Sequence, residues 1–284
     1  MFRIGIVGLG YVGIGMLRFF EDMVTAVYDP FITPENAEEV RGLGYAKGFD
    51  DKRAFGYLDL AIVSVPTNTA KDGESCDASI VEESVKWLTE INPHLLILVK
   101  SAVVPNEIER IKDQYKARLV ISPEYLGEGK YFVPFWKYPD PVHMKYHTFQ
   151  IFGGDKKDTS ECVDIFVKKG GPNVNFYQAD LKTVALCKYA ENVWGAMKVT
   201  FCNELYEIAK AFGVDYNELR ELWTADSRVE KMHTAVFRKA RGFSGKCFPK
   251  DLKAIVKAST DAGYEPKLLK QIIERNEYFK SLSK

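Results

Sequence analysis

Cys247 stands in "RGFSGKCFPKD" (241–251), between a glycine-broken segment and a Pro-Lys-Asp run. A thiolate is a strong nucleophile, and Lys246 and Lys250 beside it favour the ionised form. Gly242 and Gly245 can take positive φ angles that turn backbone N–H groups toward an anion or a sugar. A helix beginning near Pro249 would add the positive end of its dipole. Cysteine is also a small apolar core residue; that reading suits Cys76, Cys162, Cys187 and Cys202, while the surroundings of Cys247 favour a reactive thiol. Lys188 and Asn192 are spaced i, i+4 on a helical pattern, so both project from one face toward one ligand. Val184, Ala185, Val193 and Met197 flank them and leave that face little solvent. Asp251, with Glu124 and Glu128 of "SPEYLGEG", supplies candidate proton acceptors or water holders.

A second group of residues points to a dinucleotide. "GLGYVG" (8–13) follows a strand pattern and opens a helix, with Gly8 for a tight turn, Gly10 for close approach of backbone to a pyrophosphate and Gly13 for helix-to-strand packing. Tyr11 and Val12 complete the loop at the helix N-terminus, which faces the phosphates. Asp29 ends the next strand, 21 residues after Gly8, where a carboxylate accepts both ribose hydroxyls of the adenosine half. The same charge repels a 2′-phosphate, and "DPF" brings no arginine, so the expected cofactor is NAD rather than NADP. Thr67 of "SVPT" and Glu124 sit at the C-terminal ends of strand patterns, the edge where doubly wound sheets bind ligands.

These groups need a scaffold. Strand patterns at 2–8, 25–29, 58–67, 95–104, 117–124 and 148–154 alternate with helical patterns at 11–21, 34–41, 79–90, 105–115 and 158–169, predicting a parallel sheet covered by helices. Strand signals disappear after about residue 179. Residues 181–211 read as one helix, ~46 Å long at 1.5 Å per residue and apolar almost all round, so it must be covered on several sides. A homodimer through 181–211 is the expected cover. Further helices are expected at 215–223, 250–262 and 265–281. The fold class is α/β: a Rossmann-type doubly wound sheet domain over 1–178, followed by an all-helical central domain over 179–284 with one long core helix.

Composition bounds the partners. The 284 residues include 39 basic and 39 acidic side chains, so no global field argues for nucleic acid or an anionic membrane. Five cysteines without a CxxC pair fit neither a disulfide framework nor a zinc site, so no metal is expected and a reducing cytoplasm is the natural compartment. The apolar start from Ile4 to Leu17 is glycine-rich and too short to span a bilayer.

In chain order, "GLGYVG", "SVPTN", "VKSAVVP", "SPEYLGEG", "LCKYAENVWGAMKVTFCNEL", "DSRV" and "GFSGKCFPKD" resemble the N-terminal and central domains of the UDP-glucose/GDP-mannose 6-dehydrogenase family. The resemblance implies four-electron oxidation of a nucleotide sugar's C6 alcohol to the carboxylate, with two NAD and a Cys247 thiohemiacetal and thioester on the way. UDP-glucose to UDP-glucuronate is the expected case, in polysaccharide biosynthesis. Lys188 and Asn192 would hold the oxyanions, Asp251 and Glu124 the hydrolytic water, and Thr67, Glu128 and Lys250 would lie near the nicotinamide half. Ala102 stands where the family usually has threonine, Ser244 where it has glycine, and the segment from Asp29 to Leu58 is short. The family's third domain, which binds the nucleotide half, is expected to be absent, because the sequence stops after "EPKLLKQIIERNEYFKSLSK". Turnover would then be impaired, or a separate chain would supply that domain. Two alternatives follow: a two-domain β-hydroxyacid-type dehydrogenase, and a catalytically impaired NAD-binding assembly or regulatory subunit.

Overall fold

Runs of β-branched and leucine residues that are apolar at every position can be buried on both faces only if helices cover both sides of the sheet they form. Such runs are β1 (Ile4–Val7), β3 (Leu60–Val63) and β6 (Leu96–Val99), each buried at all four positions. The computed structural model describes residues 2–45, 49–125, 144, 147–171 and 173–283. In chain order after β1 come α1 (Tyr11–Phe20), β2 (Val24–Tyr28) and α2 (Pro34–Gly42). After β3 follow the two-residue strands β4 (Asn68–Thr69) and β5 (Cys76–Asp77), then α3 (Ser79–Ile91), β6 and α4 (Pro105–Tyr115). β7 (Arg118–Ile121), β8 (Phe149–Gly153), α5 (Lys156–Gly170) and β9 (Asn175–Ala179) complete the α/β part. The rest is helical: α6 (Leu181–Ala211), α7 (Tyr216–Trp223), α8 (Phe248–Asp261) and α9 (Lys267–Ser281).

The described residues form two compact units, one of 1–68 with 77–188 and one of 69–76 with 189–284. The first is built on a seven-stranded sheet in the order β2-β1-β3-β6-β7-β8-β9. Period-two alternation divides its core: Ile62, Leu98 and Val120 enter one apolar layer with α1 and α5, while Val63, Val99 and Ile121 enter the other with α3 and α4. Chain order reverses at β1, which lies between β2 and β3, and the C-terminal ends of strands at such a reversal are where doubly wound sheets bind ligands.

The sheet is mixed rather than wholly parallel, because β8 meets β7 antiparallel through Ile121 and Gly153. β9 is a strand that its sequence does not announce. "NFYQA" lacks a buried face, each residue being half-buried or exposed, and pairing with β8 along all five positions defines it. The observed strands are also shorter than the apolar runs that signal them. At 58–67, 95–104 and 117–124 the last residues leave the ladder and form the C-terminal edge that carries Thr67, Lys100 and Glu124.

In the second unit, α6 contributes Ala196, which packs with Phe243, Leu252 of α8 and Ile272 of α9. No helix among the described residues is long and apolar enough to cross a membrane.

Candidate active site

The first unit holds the glycine loop. Gly8 has φ +87°, and a Cβ there would lie 2.6 Å from the Ser64 carbonyl oxygen. A Cβ on Gly13 would lie 1.8 Å from the Gly8 carbonyl oxygen, so α1 can start against this turn only without a side chain. At Gly10 a Cβ would meet nothing within 4 Å. That open space beside the α1 N-terminus, which no side chain caps, is where a pyrophosphate can approach backbone N–H groups.

Asp29 already holds this loop: its Oδ2 accepts the Leu9 N–H at 2.8 Å and its Oδ1 the Phe31 N–H at 3.0 Å. Each carboxylate oxygen has a second lone pair for a ribose hydroxyl. The Asn36 amide fixes the other side of Leu9 by donating to its carbonyl at 2.9 Å. Sequence reasoning passed over Asn36 because it lies inside a helical pattern, and only the fold turns it toward the loop. These residues fit a dinucleotide.

Further along the same edge, Thr67 is buried, and the Ser101 hydroxyl donates to the Val65 carbonyl at 2.6 Å. Glu124 follows β7. Its Oε1 accepts the Tyr125 N–H at 2.7 Å, and its Oε2 lies 3.5 Å from Lys100 Nζ. Lys188 Nζ stands 4.7 Å from the centre of the Tyr125 ring. Glu128 lies outside the described residues.

The second unit holds the thiol. Gly242 and Gly245 take positive φ angles, +72° and +89°, as their places in the loop require. The loop is clamped at its start. Asn276 of α9 accepts the Phe243 N–H at 2.6 Å and donates to the Phe243 carbonyl at 3.0 Å. The buried Arg241 guanidinium donates to Asn203 Oδ1 at 2.6 Å and pairs with Glu207 at 2.8 Å. A Cβ on Gly242 would strike Asn276 Oδ1 at 2.5 Å. After this clamp, half-buried Cys247 forms the N-cap of α8. Negative charge on Sγ is favoured at a helix N-terminus.

One turn into α8, the buried Asp251 carboxylate is held from two sides: Asn192 Nδ2 donates to its Oδ2 at 2.5 Å, and Lys250 Nζ to its Oδ1 at 2.6 Å. The fold thus brings Asn192 to the adjacent pair Lys250 and Asp251, a contact that sequence spacing alone could not supply. Two neighbours carried no sequence signal. Tyr189 is fully buried, and burial, followed by the nearby Cys76 and Asp251, holds its phenol well above the ordinary value. His233 has φ +61°, and its imidazole is held below its ordinary value by burial and then by Lys198. Gly195 of α6 makes room here, since a Cβ would fall 2.6 Å from the Phe248 ring and 3.3 Å from His233. Among the described residues no group of three or more His, Cys, Asp or Glu could hold a metal ion.

A glycine-loop sheet with an acid at the end of β2, in one chain with a cysteine at the N-cap position of α8, suits an α/β oxidoreductase. Residues 182–278 match the UDP-glucose/GDP-mannose dehydrogenase family, central domain. It is 28% identical to the UDP-glucose 6-dehydrogenase of Haloferax volcanii, over 97% of its own length and 69% of that protein. With the UDP-glucose 6-dehydrogenase of Bacillus subtilis it shares 25% identity over 98% of its length, but spans only 63% of that protein. The UDP-glucose dehydrogenase structure from Pyrobaculum islandicum superimposes with a TM-score of 0.80 at 26% identity, covering 98% of this chain and 68% of that one.

Proposed function

We propose that the chain is an NAD-dependent nucleotide-sugar 6-dehydrogenase that oxidises a C6 alcohol to a carboxylate by four electrons, with UDP-glucose to UDP-glucuronate the favoured case. The observation that carries the reading is the cap position of Cys247 on α8, one turn from an Asp251 gripped by Asn192 and Lys250. A chain that only bound a dinucleotide would have no use for this arrangement. Gly8, Gly10, Tyr11, Val12, Gly13 and Asp29 would hold NAD, with Thr67, Glu128 and Lys250 near its nicotinamide half. The sheet domain assigned to this task covers 1–178, and the helical domain 179–284. Bound NAD supplies the hydride acceptor for each of the two oxidations.

The chain's own residues manage what lies between those oxidations. Cys247 Sγ adds to the carbonyl carbon of the sugar aldehyde, so the intermediate stays covalently held. Lys188 and Asn192 donate to the oxygen that gains negative charge, where fixed donors in a dry site have the largest effect. Once the thioester exists, water adds to its carbon, Asp251 or Glu124 takes the water's proton, and the Cys247 thiolate leaves with the carboxylate formed. Incubation with NAD and a panel of UDP- and GDP-sugars should yield two NADH per sugar oxidised. No NADH with any of them would sink the reading.

A homodimer through 181–211 belongs to the same proposal. Trp194, Phe201 and Ile208 are spaced i, i+7, i+14 on α6 and are each about half exposed, a stripe that a second copy would bury. Analytical ultracentrifugation at micromolar concentration should give the mass of two chains; a monomer mass would refute the dimer.

A further inference from the structure

Lys100 is a buried cation to which the scheme above gives no task. It follows β6, with its backbone N–H on the Val63 carbonyl at 2.8 Å and its side chain 2% exposed. Its Nζ lies 3.5 Å from Glu124 Oε2 and 3.3 Å from Ser122 Oγ. Among the described residues, the titratable groups around it are Glu124 after β7, Lys188 of α6 and Cys162 of α5. Burial holds the ammonium below its ordinary value, Lys188 pushes the same way, and Glu124 opposes both. An apolar side chain of similar volume would fill this space without the desolvation penalty of a buried ion. Packing therefore does not account for the charge, and its partner is the residue assigned to the hydrolytic water.

We infer that Lys100 is a positioning residue of this site, an ammonium fixed behind Glu124 that keeps the carboxylate ionised and aimed, ready to take a proton from water. A lone carboxyl this deeply enclosed would be driven toward its neutral form, and a neutral carboxylic acid cannot act as the base. Lys188 is also cationic, but on the proposed scheme it is engaged with the substrate oxygen. Lys100 therefore supplies the constant part of the field. The base assignment rests on the dehydrogenase reading; the coupling between Lys100 and Glu124 does not.

The test uses the full chain without substrate, with ¹³C-labelled glutamate carboxyls and the Glu124 resonance assigned by its loss in Glu124→Gln. In Lys100→Met, which removes the ammonium 3.5 Å from Glu124 Oε2, the titration midpoint of Glu124 should rise relative to the parent. Reciprocally, in Glu124→Gln the midpoint of Lys100, followed by ¹⁵Nζ NMR, should fall. Unmoved midpoints, even with a lowered melting temperature, would reduce Lys100 to a structural filler and overturn the inference. This second variant keeps the inference testable if Lys100→Met fails to fold. In a parent that turns over, Lys100→Met should also shift the acidic limb of kcat to higher pH while KM for NAD stays within about twofold. If the parent produces no NADH, the functional reading fails, while the NMR titrations still decide the role of Lys100.

Discussion

Replacing Gly13 with alanine should destroy the glycine loop and dinucleotide binding together. The new Cβ would lie 1.8 Å from the Gly8 carbonyl oxygen, far inside contact distance, and the obstacle is backbone with no rotamer to relieve it. Gly8 cannot retreat, since its own open side is closed by the Ser64 carbonyl. The start of α1 must therefore lift from β1, at a cost of about 3 kcal/mol, visible as a lowered urea midpoint. Gly10→Ala is the informative contrast. Its φ of −80° suits alanine, and nothing lies within 4 Å of the added methyl group, so the urea midpoint should hold. NAD affinity, measured by calorimetry, should nevertheless fall by roughly tenfold or more, because the methyl group occupies the space that the pyrophosphate needs. A Gly10→Ala chain that binds NAD as tightly as the parent would show that the phosphates lie elsewhere.

The largest effect on turnover is expected from Cys247→Ser. Serine keeps the size of the N-cap residue and a hydrogen-bonding group, so α8 and the loop clamped by Asn276 and Arg241 should be preserved, with an unchanged circular dichroism spectrum. What is lost is sulfur as the attacking atom, a far stronger nucleophile than a hydroxyl oxygen. Carboxylate production should drop on the order of 10³-fold or more, and NADH per sugar should fall from two to at most one, with free aldehyde detectable by a carbonyl trap. The stoichiometry separates the proposed 6-dehydrogenase from a β-hydroxyacid-type dehydrogenase. If parent and Cys247→Ser both gave one NADH per substrate at similar rates, the thiol would have no chemical role and that alternative would be favoured.

These variants probe residues that contiguous stretches of sequence already single out. The glycine loop is local: strand, turn and helix are consecutive, so the spacing of Gly8, Gly10 and Gly13 already encodes the conformation, and Asp29 lies one strand away. The α6 helix is equally legible, because 31 residues without glycine clusters or proline leave the chain no other regular structure. Cys247 could be singled out for the same reason, its glycines and the Pro-Lys-Asp run being neighbours in sequence. The resemblance to nucleotide-sugar dehydrogenases also rests on such contiguous motifs.

Tertiary structure decided the partnerships. Asp251 meets Asn192 across 59 positions of sequence, and Asn276 closes on Phe243 across 33. No periodicity signals such contacts, since they depend on how helices pack. β9 becomes a strand only because β8 offers it an edge, its own residues showing no alternation. Lys100 shows the division most clearly. In sequence it is one lysine among many at the end of an apolar run, and charged residues are ordinarily placed in water. The sheet continues one residue past the β6 ladder, directs that side chain inward and brings Glu124 from the adjacent strand end to meet it. Local sequence fixes what each segment can become. Which charges must face each other, and so what they do to one another, follows from the sheet order and the burial it imposes.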